Sequence, residues 1–102
     1  RIVYEVDDDL ARQVIKPRLR ESISSYGRVL LVGGLYPYGG AIIMAAVACV
    51  NSGAGLVTVA TDRDNITALH SHLPEAMAFD LRETERFLDN LRAADVVLIG
   101  SG

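Results

Sequence analysis

Four short, mostly apolar runs, each separated from the next by a segment of helical length, constrain the fold of this chain more than any other feature. They lie at residues 29–32, 56–60, 76–79 and 96–99. An apolar run of four or five residues is typical of a strand buried on both faces, as in a parallel sheet. Since strands that alternate with helices favour such sheets, we predict a parallel, doubly wound α/β fold without internal repeats.

The segments between the runs carry helix signals. Residues 41–51 are nearly all Ala, Ile, Met and Val, and this composition and length favour a buried helix over a strand. Asp62 is a suitable N-cap for a short helix that reaches about His70 and ends before Pro74. The centre of the chain therefore alternates strand, helix, strand and helix.

Two further helices are predicted nearer the ends of the chain. Residues 7–16 begin with three carboxylates, which suit a helix N-terminus, and Pro17 is expected to end that helix. Residues 18–26 are interpreted as a polar connecting stretch. A last helix is expected within residues 81–94, because four of its residues fall on one helical face: Thr84, Phe87, Leu88 and Leu91.

Composition excludes several classes of protein. The chain has 102 residues, of which half are apolar and 23% are charged, as in a single globular domain. Its net charge of −3 comes without a basic cluster, so neither nucleic acid nor an anionic membrane surface is an expected partner. Residues 41–50 are too few to span a bilayer, and the single Cys49 excludes an intrachain disulfide. We therefore expect a soluble, cytoplasmic domain.

Two of the predicted strands end in glycine-rich segments, at the edge where parallel sheets bind ligands. One segment contains Gly34 and leads to Gly40 and Ala41, and the other comprises residues 100–102. Glycine lets a ligand approach the backbone closely, and a helix that starts near Gly40 points its amides and partial positive charge at the loop. Tyr38 could cover a ring by stacking. We expect these two strands to end side by side around one cavity.

Spacing alone leaves that loop open to a simpler interpretation. Glycine after a buried strand is common in α/β proteins, so an ordinary turn is an equal alternative. The string GGLYPYGGA matches neither the dinucleotide-binding pattern G-x-G-x-x-G nor a phosphate-binding loop that ends in G-K-[ST]. The residues predict only that a ligand site is possible here.

Other reactive side chains are weaker candidates for chemistry. His70 and His72 are two positions apart, which on a helix directs them to different faces, so no joint metal site is expected. Cys49 lies in an apolar helix and is interpreted as a buried, inert thiol. Glu75 is interpreted as a surface residue at a strand entry, with a role as a base as the less favoured alternative.

Five strings in one order resemble the ADP- or ATP-dependent NAD(P)H-hydrate dehydratase family from about Ile15 onward. They are GRVLLVGG, YPYGGA, SGAGLVTVAT, LPEAMAF and ADVVLIGSG. The resemblance implies a ribokinase-like, three-layer α/β/α fold with a mainly parallel sheet, of which only the N-terminal half is present. Residues 1–102 would then be the N-terminal portion of one such domain, in a protein that is often a homo-oligomer.

The resemblance also implies an activity. The family removes water from the 6-hydroxylated form of NADH or NADPH, a step driven by ADP, or by ATP in some members, with Mg²⁺. Its cofactor contacts map onto Gly40 and Ala41 and onto Gly100, Ser101 and Gly102, and we place Gly34 and Tyr38 in the same site. No metal ligand is assigned in this chain. The family's catalytic Asp is expected beyond Gly102, so no catalytic residue can be named here.

Three departures from the family pattern leave other functions open. Residues 21–24 read Glu-Ser-Ile-Ser where members usually have Ser-His-Lys-Gly, Leu35 replaces a Ser, and Ser101 replaces a Pro. One alternative is a ribokinase-like small-molecule kinase, for which this part of the fold would be similar. The other is a non-catalytic module for nucleotide binding or oligomerisation. The 102-residue chain alone is expected to be inactive as a dehydratase.

Overall fold

The computed structural model describes residues 2–5, 17–34 and 39–100 of the chain. These residues form five strands and four helices, named here in chain order. They are β1 (Ile2–Glu5), α1 (Pro17–Tyr26), β2 (Arg28–Val32), α2 (Gly39–Asn51), β3 (Leu56–Thr61), α3 (Arg63–His72), β4 (Met77–Asp80), α4 (Thr84–Ala93) and β5 (Val96–Ile99).

The five strands form one parallel sheet with the order β1-β5-β2-β3-β4. The chain moves outward from β2 to β4 and then returns, so that β5 lies between β1 and β2. Val32, the last residue of β2, pairs with Ile99, the last residue of β5. The expectation that these two strands end side by side is therefore confirmed.

One face of the sheet is covered by α1, α2 and α3. Alternate residues of β2, β3 and β5 point to this face, as the two-residue period of a strand requires. Ala45, Ala46 and Cys49 of α2 are fully buried against them, and small side chains at these positions let the helix pack close to the sheet. The larger core residues on this face are Ile23, Val29, Leu31, Val59, Leu69, Val96 and Leu98.

The opposite face is covered by α4. Leu30, Phe79 and Val97 are buried there, with Phe87 and Leu91 of α4 packed against them. Helices on both faces make three layers, which agrees with the predicted α/β/α architecture. The apolar face of α4 is narrower than predicted. Leu88 is 40% exposed, and only Phe87 and Leu91, an i, i+4 pair, reach the core.

The predicted central elements are confirmed within a few residues. β5 has the predicted bounds, and β2 and β3 each extend one residue further than expected. Asp62 caps α3 as predicted, since its side chain accepts a hydrogen bond from the backbone N–H of Asp64. The sequence patterns that located these elements, apolar runs and a capping carboxylate, act over short stretches of chain.

One prediction near the start of the chain was wrong, and one strand there was missed. Residues 18–26 are not a polar connection, because they form α1, in which Ile23 is fully buried. Pro17 is the first residue of that helix, a position where its missing N–H costs nothing. The strand β1 was not predicted at all. The predicted helix at residues 7–16 lies outside the described residues.

Cys49 is buried in α2, as predicted for an inert thiol. Burial raises its pKa from 9.0 to about 12, because a thiolate would be poorly solvated among apolar side chains. A thiol whose pKa is raised in the folded state stabilises that state fully below the unfolded pKa. This contribution is lost as pH rises from 9 toward 12, because the unfolded chain alone ionises in that range.

We therefore predict an alkaline loss of stability that depends on Cys49. Between pH 8 and pH 10 the free energy of unfolding should fall by about 1 kcal/mol more in the wild type than in Cys49→Ala. Urea unfolding at the two pH values measures this difference. Equal pH dependence in the two proteins would contradict the proposed burial of the thiol.

Candidate functional site

The carboxyl ends of β2 and β5 are joined by their backbones. The Gly100 N–H donates a hydrogen bond of 2.7 Å to the carbonyl of Val32, and the Gly33 N–H donates one of 3.1 Å to Ala60 in β3. A Cβ atom added to Gly33 would lie 3.3 Å from the Cα of Gly100. This approach is closer than most side chains tolerate, so glycine at Gly33 lets the two strand ends meet.

Gly34 is the most constrained glycine in the described part of the chain. Its φ of +72° lies in the left-handed region that favours glycine. An added Cβ would lie 2.5 Å from Cγ2 of Ile42 in α2 and 2.8 Å from Oγ1 of Thr61 in β3. Gly34 therefore lies between the end of β3 and the first turn of α2, with no room for a side chain.

The N-terminus of α2 follows this glycine turn. The first four N–H groups of a helix have no partner within the helix, and they carry its partial positive charge. The first turn of α2 contains no acidic residue that would neutralise this charge. Gly40 is exposed, and an added Cβ there would meet no atom within 4 Å. Among the described residues, none therefore fills the space beside the Cβ position of Gly40.

A small polar network holds the carbonyl of Gly34. The hydroxyl of Thr61 donates a hydrogen bond of 3.2 Å to it, and the side-chain amide of Asn65 donates to the same oxygen. The Asn65 amide also donates to Oγ1 of Thr61, at 3.2 Å. Both side chains are buried. Sequence analysis did not identify this network, although Thr61 follows a buried strand directly and Asn65 lies one helical turn later.

A second polar cluster lies where β3 and β4 end. The guanidinium of Arg82 forms ion pairs of 3.3 Å with Asp62 and with Asp80, and both carboxylates are largely buried. The pKa of Arg82 is raised by its hydrogen bond to Asp62 and then by the charges of Asp62 and Asp80. Arg63 contacts Asp80 at 3.7 Å. Since Arg63 and Arg82 balance the two carboxylates, the cluster joins the ends of β3 and β4 without a large net charge.

The structure brings several of the predicted site residues to one edge of the sheet. Gly34 follows β2, Gly100 follows β5, and Gly40 lies in the first turn of α2. The backbone of Ala41 is in the same helical turn. Tyr38, Ser101 and Gly102 lie outside the described residues. Ligand contact at any of these positions remains a prediction.

The structure also describes the surroundings of His70, His72 and Glu75, the weaker candidates of the sequence analysis. Nε2 of His70 forms a hydrogen bond with the carbonyl of Ala76, and Nδ1 of His72 forms one with Ala68. Glu75 is an exposed turn residue before β4. Among the side chains that the structure describes, no group of three or more His, Cys, Asp or Glu could hold a metal ion. Nor does any described helix have the length and apolar character needed to cross a membrane.

Comparison with known proteins shows which family the chain resembles. The profile of a family described as NAD(P)H-hydrate dehydratase matches residues 29–102. The chain is 87% identical over 99 residues to an ADP-dependent (S)-NAD(P)H-hydrate dehydratase of Streptococcus thermophilus, and 59% identical over 98 residues to one of Streptococcus pneumoniae. These matches cover 96% and 95% of this chain but 36% and 34% of the relatives, so the chain spans about a third of their length.

Two solved structures are similar to the chain. A protein of Streptococcus mutans is 68% identical with a TM-score of 0.73, and a ribokinase-like superfamily protein of Enterococcus faecalis is 46% identical with the same score. The matches cover 95% and 98% of this chain, and 36% of each solved chain. The second similarity supports the predicted ribokinase-like fold.

Proposed function

Because the chain belongs to the NAD(P)H-hydrate dehydratase family, we propose that it is the cofactor-binding part of a longer enzyme that repairs hydrated NADH and NADPH. The relatives named ADP-dependent (S)-NAD(P)H-hydrate dehydratase are about three times as long, which supports a role as one portion of such a protein. The catalytic acid or base would be supplied by residues that follow Gly102.

One observation carries the proposal. The ends of β2 and β5 meet, and α2 begins just after the turn at Gly34, so a single crevice would border both glycine-rich segments. Ligands of open parallel sheets bind outside the carboxyl ends of the strands, where the direction of winding reverses. Here the order reverses between β2 and β5. The hydrated nicotinamide portion would lie in this crevice, against Gly40, Ala41 and Gly100.

The proposed crevice would favour a polar ring system over an apolar one. The first-turn amides and the partial positive charge of α2 would stabilise a carboxamide oxygen, a hydroxyl or a phosphate group. The absence of a side chain at Gly40 would let a flat ring approach the backbone. In this arrangement the residues of the chain bind and orient the hydrated cofactor, while the nucleotide drives the loss of water.

The remaining features of the proposed enzyme concern its nucleotide, its assembly and its location. ADP would be the nucleotide, as the names of the relatives state for them. The described residues offer Mg²⁺ no complete set of protein ligands. The ion would therefore bind together with the nucleotide. We further propose a cytoplasmic homo-oligomer in which partner subunits cover the exposed strand edges at β1 and β4.

An assay of the full-length protein tests the proposed function. With ADP and Mg²⁺, it should convert hydrated NADH to NADH, measured as recovery of nicotinamide absorbance, while omission of ADP should abolish the recovery. The 102-residue chain alone should be inactive, because we propose that the catalytic groups lie beyond Gly102. Phosphate transfer from ATP to a small alcohol, without dehydration, would instead identify a kinase. Saturable cofactor binding without turnover would indicate a non-catalytic module.

A further inference from the structure

We propose that Asn65 is a positioning residue for cofactor binding, which acts with Thr61 by fixing the Gly34 carbonyl and through it the first turn of α2. The inference rests on the proposed function, and it assigns a role to two residues outside the predicted cofactor contacts.

The donors of the network are matched to its acceptors. The side-chain amide of Asn has two N–H donors, and here they serve the Gly34 carbonyl and Oγ1 of Thr61. Thr61 accepts one of these bonds and donates its own hydrogen to Gly34. The carbonyl of Gly34 thus receives two side-chain hydrogen bonds from β3 and α3. The two bonds that Asn65 donates can form only when its side-chain nitrogen faces the loop.

Burial increases the free-energy cost of breaking a hydrogen bond in this network. Thr61 is fully buried and Asn65 is 8% exposed, so the water that could replace a lost partner has little access. A buried polar group left without a partner is destabilising, so conformations of the Gly34 peptide that break these hydrogen bonds are disfavoured. The network therefore selects one orientation of the turn that leaves β2.

The turn is in direct contact with the proposed binding surface. The Cα of Gly34 faces Ile42, whose Cβ and Cγ2 would lie within 2.9 Å of a side chain on Gly34. Ile42 is buried in the first turn of α2 and follows Ala41 in sequence. A shift of Gly34 toward or away from this contact would move the amides of Gly40 and Ala41 relative to the end of β5.

Substitution of Asn65 by Asp in the full-length protein tests the proposal. Asp has nearly the same shape, but its carboxylate offers no N–H donor and would face the Gly34 carbonyl oxygen. We expect KM for hydrated NADPH to rise by about tenfold to a hundredfold, as for a misplacement of binding groups on the order of 1 Å, with KM for ADP unchanged. Asn90→Asp is the matched control, because Asn90 also donates to a backbone carbonyl, that of Arg86 in α4.

A second pair of variants keeps the test informative if Asn65→Asp folds poorly. Thr61→Val removes the hydroxyl at nearly constant shape and should raise the same KM, whereas Thr61→Ser retains the hydroxyl and should restore most of the loss. An unchanged KM in Asn65→Asp and Thr61→Val would overturn the proposal. An equal effect on the KM values for ADP and cofactor would also overturn it, since that outcome indicates a general structural role.

Failure of the proposed function can be separated from failure of this inference. If the wild type does not dehydrate the cofactor, the proposed function fails. The positioning role is then decided by backbone amide chemical shifts in the ligand-free protein. The amides of Gly39 and Gly40 should shift in Asn65→Asp and not in Asn90→Asp, and unchanged shifts in both variants would overturn the inference.

Discussion

Substitution of Gly34 by Ala is expected to destabilise the protein more than any other single methyl group added to a glycine that the structure describes. The φ of +72° would cost an Ala about 1–2 kcal/mol. The new Cβ would overlap Cγ2 of Ile42 and Oγ1 of Thr61, and such overpacking costs about 1–3 kcal/mol. Both neighbours are buried and stiff, so we expect a total loss of about 2–5 kcal/mol, measured by urea unfolding.

Gly40→Ala is the matched control for this prediction. Gly40 lies in α2 with no atom within 4 Å of an added Cβ, so the same methyl group should cause no overlap. Ala is the better helix former, and because Gly40 lies in the first turn of α2 we expect a gain of less than about 1 kcal/mol. Similar losses in the two variants would contradict the described position of Gly34 between β3 and α2.

The second large effect concerns activity and not stability. Gly40→Leu should raise KM for hydrated NADPH by more than about a hundredfold, because a bulky side chain beside the open amides of α2 would occupy the proposed crevice. We expect the fold to tolerate the substitution, since Gly40 is exposed and an added Cβ meets no described atom within 4 Å. Steady-state kinetics of the full-length enzyme, together with its melting temperature, separates these two effects.

The control for Gly40→Leu lies at the other end of the same helix. Asn51 is the exposed last residue of α2, and Asn51→Leu adds an apolar side chain of the same kind far along the helix from the crevice. We expect KM for the cofactor to be unchanged in Asn51→Leu. Normal cofactor binding by a folded Gly40→Leu variant would rule out direct contact at this helix terminus.

Sequence patterns located the parts of the fold that local physical chemistry determines. The apolar runs at β2, β3 and β5 and the Asp62 cap act within a few residues, and the elements that they predict are present. Parallel pairing then follows from the alternation of strands and helices. Both glycine-rich strand ends were therefore recognised before their positions were known.

The missed elements depend on partners far along the chain. β1 has only four residues and pairs only with β5 at the opposite end of the sequence, so no local alternation indicates it. α1 is polar except for a few residues, and it is held at Ile23 by packing against the sheet. Its starting Pro17 can either end one helix or begin another, and sequence alone does not distinguish the two.

The candidate site was predictable only in part, again because some of its contacts join residues that are far apart in the sequence. Glycines after buried strands indicated where a ligand could approach, but nothing local indicated that Asn65 and Thr61 would bind the carbonyl of Gly34. The pairing of Arg82 with Asp62 and Asp80 likewise depends on β3 and β4 being neighbours. Such contacts arise from the order of strands in the sheet, which the sequence analysis did not determine.

A crystal structure of the full-length protein with bound hydrated NADPH tests the central claim most directly. The claim is that the meeting point of β2, β5 and the first turn of α2 binds the damaged nicotinamide ring. The account predicts the ring within hydrogen-bond distance of the backbone at Gly40 or Ala41, beside Gly100. A ring bound at the amino ends of the strands, or beyond β4, would contradict it.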